Sequence, residues 1–355
     1  MKICLFCENK YAIDILMPLQ EEVWNGGKSE TLNLGDSEVL WFVDARKIAD
    51  FPLKDRVSYT NSIQAVYDFR PDAIFCPGNI IPYYLPGVKI GIFHGYAGKK
   101  DQFVIRRYFD TYFTQGPYFT ERFVQLQRRY RDFEVLETGW TRQDWVFRHR
   151  HDFDGEAAAL RRTPSTRILL YAPTFSPSLT SLPYMKESLR HLAETEDVTI
   201  IMKFHPLTKQ EWIDSYRSLA EEVPNIIWID DYTVSKYILM CDLMLSDSSS
   251  TIYECLLQDK PVITLRSIEE RFYWCDIKAP EQLSQAYHEV LSDDRYTDLR
   301  QWVIHNYDPY LDGNVARRML EGAADYIRRH GVPPKRRVNL WRRYASIKAF
   351  GRIKR

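Results

Sequence analysis

The chain has 355 residues, about twice a modal domain and enough to build two hydrophobic cores. Its 45% hydrophobic and 27% charged residues exclude a disordered or fibrous chain, and no apolar run reaches the roughly 18 residues of a membrane span. The start MKICLFCENK has no cleavage-like segment, so a cytoplasmic protein is expected.

In chain order, the first half predicts strands at Ile3 to Phe6, Val39 to Val43, Ala73 to Cys76, Lys89 to Phe93, Tyr112 to Thr114 and Glu134 to Leu136. Amphipathic stretches near Ile13 to Trp24, Ile63 to Phe69 and Tyr118 to Arg129 lie between them. The polar, Arg-rich and Ala-rich segment Arg148 to Thr166 has no strand pattern and reads as a linker. A second series follows, with strands at Ile168 to Tyr171, Thr199 to Lys203, Ile226 to Ile229, Leu243 to Ser246 and Val262 to Leu265. Its helices are expected near Met185 to Ala193, Glu211 to Glu221, Ser235 to Cys241 and Thr251 to Gln258, closed by Glu281 to Ser292 and Asn314 to Arg329. This α/β alternation predicts two Rossmann-like domains, residues 1–150 and 166–330, facing each other across a cleft in the GT-B arrangement.

Six scattered cysteines fall mostly inside apolar segments and read as reduced core residues. Cys4 and Cys7 form a C-x-x-C, but positions i and i+3 of a strand point to opposite faces and no second pair offers zinc ligands, so no metal is expected.

Zero net charge hides an asymmetry. Residues 331–355 hold nine Lys or Arg and no acid, leaving 39 basic against 48 acidic residues in the body. After Pro333 and Pro334, Leu340, Trp341, Tyr344, Ile347, Phe350 and Ile353 recur at three- and four-residue steps between the cations. The pattern predicts a basic amphipathic tail on an anionic membrane surface. A solvated tail and a nucleic-acid contact are the competing readings; aromatic rings on one face suit an interface better than a groove, so no nucleic acid is expected.

Three segments place polar chemistry where an apolar strand ends. SDSSSTIYECLLQDK sets Ser246, Asp247, Ser248, Ser249, Ser250 and Thr251 at a strand-to-helix turn, either a capped turn or a phosphate cradle. VKIGIFHGYAGKK ends at His94, and VTIIMKFHP ends at His205 with Lys203 two residues before it. Three such ends describe one ligand site better than three accidents. Glu254, a turn into the helix, is a candidate for ribose hydroxyls or a solvated carboxylate.

The segments HGYAGKKD (94–101), ETGWTRQD (137–144), LYAPTF (170–175), KFHP (203–206) and SDSSSTIYECLLQDKPVI (246–263) together resemble the CDP-glycerol glycerophosphotransferase family of teichoic acid primases and polymerases. That resemblance implies a GT-B fold, a CDP-polyol donor, a lipid-linked acceptor at the inner face of the plasma membrane, and no metal or other cofactor. It implies that His94 is the general base and that His205, Asp247 and Ser246 to Ser250 surround the donor pyrophosphate with Lys203. The matching segments put Thr174 with the donor set and Gly95, Lys99 and Lys100 on the acceptor side. Ser248 stands where the family often has an aromatic residue, and ERFYWCDIKAPE (270–281) lacks the family's glycines, which leaves the donor polyol open. A GT-B enzyme using a sugar nucleotide and a membrane-surface scaffold with a degenerate site are the alternatives.

Overall fold

A computed structural model describes residues 1–26, 33–96, 103–231 and 233–354. The chain forms two compact units, Met1–Arg148 with Tyr307–Arg355, and His149–Asn306.

The first unit contains β1 (Lys2–Cys7), α1 (Tyr11–Trp24), β2 (Glu38–Val43), β3 (Tyr59–Thr60), α2 (Ile63–Phe69), β4 (Ala73–Cys76), β5 (Val88–Gly91), β6 (Thr111–Thr114), α3 (Pro117–Tyr130), β7 (Glu134–Glu137) and α4 (Arg142–His149). Its seven parallel strands run in the order β3-β2-β1-β4-β5-β6-β7, with Ile3 paired to Val39 on one side and Ala73 on the other. A parallel sheet covered on both faces favours near-continuous apolar runs, and Ile3 to Cys7 and AIFC supply them. The order reverses between β1 and β4, the kind of point at which open α/β sheets bind ligands.

The second unit contains α5 (Asp154–Ala159), β8 (Arg167–Tyr171), α6 (Leu182–Thr195), β9 (Val198–Lys203), α7 (Gln210–Glu222), β10 (Ile226–Ile229), α8 (Ser235–Met240), β11 (Leu243–Ser246), α9 (Thr251–Leu256), β12 (Val262–Leu265), β13 (Cys275–Ile277), α10 (Leu283–Ser292) and most of α11 (Thr297–Tyr307). Its strand order is β10-β9-β8-β11-β12-β13, all parallel, with the reversal between β8 and β11. Leu169, Leu189, Ile200, Tyr216, Leu245 and Ile263 are fully buried in its core.

The units' bounds and the packing of the tail differ from a simple split at a linker. Residues 148–166 are no bare linker: they carry α5, and Arg161 grips Asp242 through two hydrogen bonds of 2.7 and 2.8 Å. The second unit ends at Asn306 rather than residue 330, because α12 (Val315–His330) returns to the first unit. Gly322 sits at this contact: a Cβ there would lie 2.3 Å from a Leu136 methyl, so a larger residue would require Leu136 to move. Asp144 receives the Val315 and Ala316 N–H groups at 2.9 and 2.7 Å, capping the same helix.

The tail also packs on the first unit. α13 (Leu340–Phe350) is seated on the first unit, its N-cap Asn339 accepting from the Arg342 N–H. Ser346 is buried, accepting from the Tyr83 N–H at 3.2 Å, while Phe350 packs 5.4 Å from Phe6. Arg336 pairs with buried Asp110 at 2.9 Å, and Val338 joins the core. The apolar repeat of the tail is therefore divided, part closing the sheet face and part left outside.

Candidate active site

In the second unit the loops after β8, β9 and β11 meet at the point where strand order reverses. Asp247, directly after β11, is buried, and each carboxylate oxygen accepts from several donors. Oδ1 takes the N–H groups of Thr174 at 2.9 Å and Ser248 at 2.6 Å; Oδ2 takes the Ser181 N–H at 2.9 Å and its hydroxyl at 3.0 Å. Burial raises the Asp247 pKa and these donors oppose the shift. The side chain thus ties its own loop to the loop after β8 and to the start of α6.

The neighbouring hydroxyls divide in the same way. Ser246 is buried and donates to the Ala172 carbonyl at 2.7 Å, and Ser248 accepts from the Ile268 N–H at 3.3 Å, so both hold backbone. Ser249 and Thr251 share a 2.8 Å hydroxyl contact at the half-buried rim, and Ser250 is exposed. The helix there is shorter than expected, Thr251–Leu256, and Glu254 is half-buried on it.

Lys203 closes β9, with Nζ donating to the Phe204 carbonyl at 2.8 Å; burial lowers its pKa, and Asp231 and Asp230 pull it back. His205 is exposed and its ring lies 4.3 Å from Phe175 of the APTF segment. Its Nδ1 accepts from the Leu207 N–H at 3.1 Å, so Nε2 carries the ring proton. Partial burial of the ring and then Lys203 lower the His205 pKa. Thr208 and Ser267, near the ends of β9 and β12, add two buried hydroxyl oxygens without partners among the described residues. Neither stands in a matched motif, and only the fold reveals them.

In the first unit, His94 follows β5 and is exposed. Its Nδ1 lies 3.2 Å from the Pro77 carbonyl; a carbonyl only accepts, so Nδ1 carries the proton and Nε2 presents its lone pair. The turn that aims it is strained: Phe93 has φ +59°, held by an edge-to-face contact with Phe123 at 4.9 Å and by Trp140 Nε1 on its carbonyl at 3.3 Å. Gly95 gives its carbonyl to Gln115 at 2.9 Å. Lys99 and Lys100 lie outside the described residues.

Two buried acids complete this end of the sheet, and sequence patterns missed both. Asp308 accepts from the Tyr96 hydroxyl at 2.6 Å and the Trp140 N–H at 2.9 Å, joining the HGY and TGW segments. Burial raises its pKa to about 7. Glu8 directly follows β1 at the strand-order reversal, and burial raises its pKa also to about 7. Gly78 gives it room, since a Cβ there would sit 1.7 Å from Oε2.

Two doubly wound parallel units with polar loops at their strand ends define the GT-B fold. The chain belongs to the CDP-Glycerol:Poly(glycerophosphate) glycerophosphotransferase family, whose model matches residues 89–322. It is 32% identical over 116 residues to the teichoic acid glycerol-phosphate primase of Bacillus spizizenii, covering 32% of this chain and 27% of that protein. It is 25% identical over 164 residues to the teichoic acid ribitol-phosphate polymerase TarL of Staphylococcus aureus, covering 42% and 27%. The chain thus matches about a quarter of the length of these two relatives. A structure of the wall teichoic acid polymerase TagF soaked with CDPG has a TM-score of 0.64 at 15% identity, over 92% of this chain and 89% of that one. The UDP-GlcNAc 2-epimerase of Neisseria meningitidis bound to UDP-GlcNAc scores 0.64 at 14% identity, over 92% and 100%. At these identities the structural likeness establishes the fold alone.

Proposed function

We propose that this chain transfers a polyol phosphate, glycerol phosphate first among them, from a CDP-activated donor to a hydroxyl of a lipid-linked or glycan acceptor, in teichoic-acid-type polymer synthesis. The observation that carries the reading is the tautomer pair: His94 offers a lone pair at Nε2, and His205 offers an N–H at Nε2. One suits taking a proton from an acceptor hydroxyl; the other suits donating to a phosphate oxygen. Membership of the family supports the donor class.

In this reading the acceptor oxygen attacks the β-phosphorus, its proton passing to His94 Nε2. The new P–O bond forms as the P–O–P bond breaks, and CMP leaves with the bridging oxygen and its electron pair. His205, Ser249, Ser250 and Thr251 hold the pyrophosphate, with Lys203 adding positive charge behind them and Thr174 shaping the loop they face. Asp247 acts through that loop and touches no substrate. Glu254 reaches the ribose, and Gly95 belongs to the acceptor side. The enzyme works as a peripheral protein at the inner face of the plasma membrane, where its acceptor lies; among the described residues no helix is long and apolar enough to cross a membrane.

A donor panel of CDP-glycerol, CDP-ribitol, UDP-sugars and CMP-sugars with a lipid-linked acceptor tests the reading. We expect CMP release from a CDP-polyol and no turnover of UDP-sugars; UDP release from a sugar nucleotide, with the CDP-polyols inert, would replace it with the glycosyltransferase alternative.

A further inference from the structure

Among the described residues of the first unit, the three most exposed large hydrophobic side chains lie on the tail's outward face. On α13, Leu340, Trp341 and Tyr344 are 77%, 81% and 62% exposed. Trp341, Tyr344 and Lys348 are spaced i, i+3 and i+7, which puts them on the face opposite buried Ser346. Around them Lys335, Arg337, Arg343 and Lys348 are exposed, and residues 331–355 contain no acid. Arg336, by contrast, is spent on Asp110 inside the unit.

We infer that this edge of α13 docks on an anionic lipid bilayer, with Leu340, Trp341 and Tyr344 entering the interface and the cations meeting headgroups. The inference rests on the lipid-linked acceptor of the proposed reaction and adds where the protein touches the lipid. Charge selects the occupant. A second copy presenting the same face would bring two cationic rims together, whereas an anionic surface neutralises them. Indole and phenol rings are the side chains that favour the headgroup level. Because the opposite face of α13 is fixed by Ser346 and Phe350, the helix serves as a rigid foot of the first unit and not as a tether.

The test uses the full chain and vesicles of phosphatidylglycerol with phosphatidylcholine, or phosphatidylcholine alone. Wild type should co-sediment with the anionic vesicles, and added salt should weaken it. The variant L340S/W341S/Y344S leaves the docked face intact and should lose binding while keeping its CDP affinity and circular dichroism. Neutralising Lys335, Arg337 and Lys348 to Gln should weaken binding on the order of 100-fold. Unchanged binding by both variants, equal binding to neutral vesicles, or no binding by wild type would overturn the inference. So would a dimer that the triple variant dissolves, since the occupant would then be a second copy. No donor or acceptor is present in this assay, so its failure and failure of the transferase reading are separate results.

Discussion

Replacing Asp247 by Asn separates a positioning role from a catalytic one. The carboxylate accepts from three backbone N–H groups and one hydroxyl, and every partner is a donor except that the Ser181 hydroxyl can turn to accept. An amide has one accepting oxygen. If it faces Thr174 and Ser248, its NH2 confronts the Ser181 N–H and leaves that buried donor unmet. One lost charge-assisted bond costs about 1.5–3 kcal/mol and one buried unmet donor about 1–3 kcal/mol, so we expect a loss of roughly 3–5 kcal/mol. That is a large part of the ~5–15 kcal/mol that holds a typical domain together. Urea unfolding of the full chain, followed by tryptophan fluorescence, should show the lower transition, and CDP titration by calorimetry should show weakened binding because the loops after β8 and β11 separate. Stability within about 1 kcal/mol of wild type, with turnover abolished, would refute the positioning role and return Asp247 to the chemistry.

His94→Ala should lower kcat roughly 100- to 10,000-fold while CDP affinity stays within a few-fold, read from CMP release and calorimetry; turnover within tenfold of wild type would remove it as the base. His205→Ala should weaken CDP binding roughly 10- to 150-fold, and because its pKa is lowered, wild-type CDP affinity should show no loss attributable to this ring as pH rises from 7 to 8. Asp308 makes stability pH-dependent: its folded pKa of about 7 lies above its ordinary 3.8, so between these values the folded state holds a proton the unfolded state lacks. Stability therefore falls by about 1.4 kcal/mol per pH unit as pH rises through that window, and Asp308→Asn should remove this slope from urea midpoints measured at pH 5, 6 and 7. Deleting residues 333–355 should destabilise the first unit as well as release it from lipid, since it uncovers Val338 and Phe350 positions and strips Arg336 from Asp110; an unchanged melting temperature would contradict the seating of α13.

The parallel sheets were legible because buried strands such as VTIIMK and AIFC are apolar at most or all positions, a signal local to the strand. The short strands Tyr59–Thr60 and Cys275–Ile277 carry too few residues for a period and went unread. The return of α12 and α13 to the first unit was invisible for a different reason. It depends on pairings such as Arg336 with Asp110 and Tyr96 with Asp308, which lie 226 and 212 residues apart in the chain. Motif spacing singled out His94, Lys203, His205 and the seryl loop as candidates, but it could not separate hydroxyls that face outward from those that bond backbone. That division, Ser246 and Ser248 against Ser249 and Ser250, follows from how the loop folds back on Ala172 and Ile268.

The most direct measurement is single-turnover transfer from CDP-glycerol carrying label in its glycerol, with a lipid-linked acceptor on anionic vesicles. We expect label in the lipid fraction matched mole for mole by CMP with wild type, and neither with His94→Ala. Label that stays in CDP-glycerol with wild type, while a UDP-sugar is consumed under the same conditions, would contradict polyol-phosphate transfer at this site.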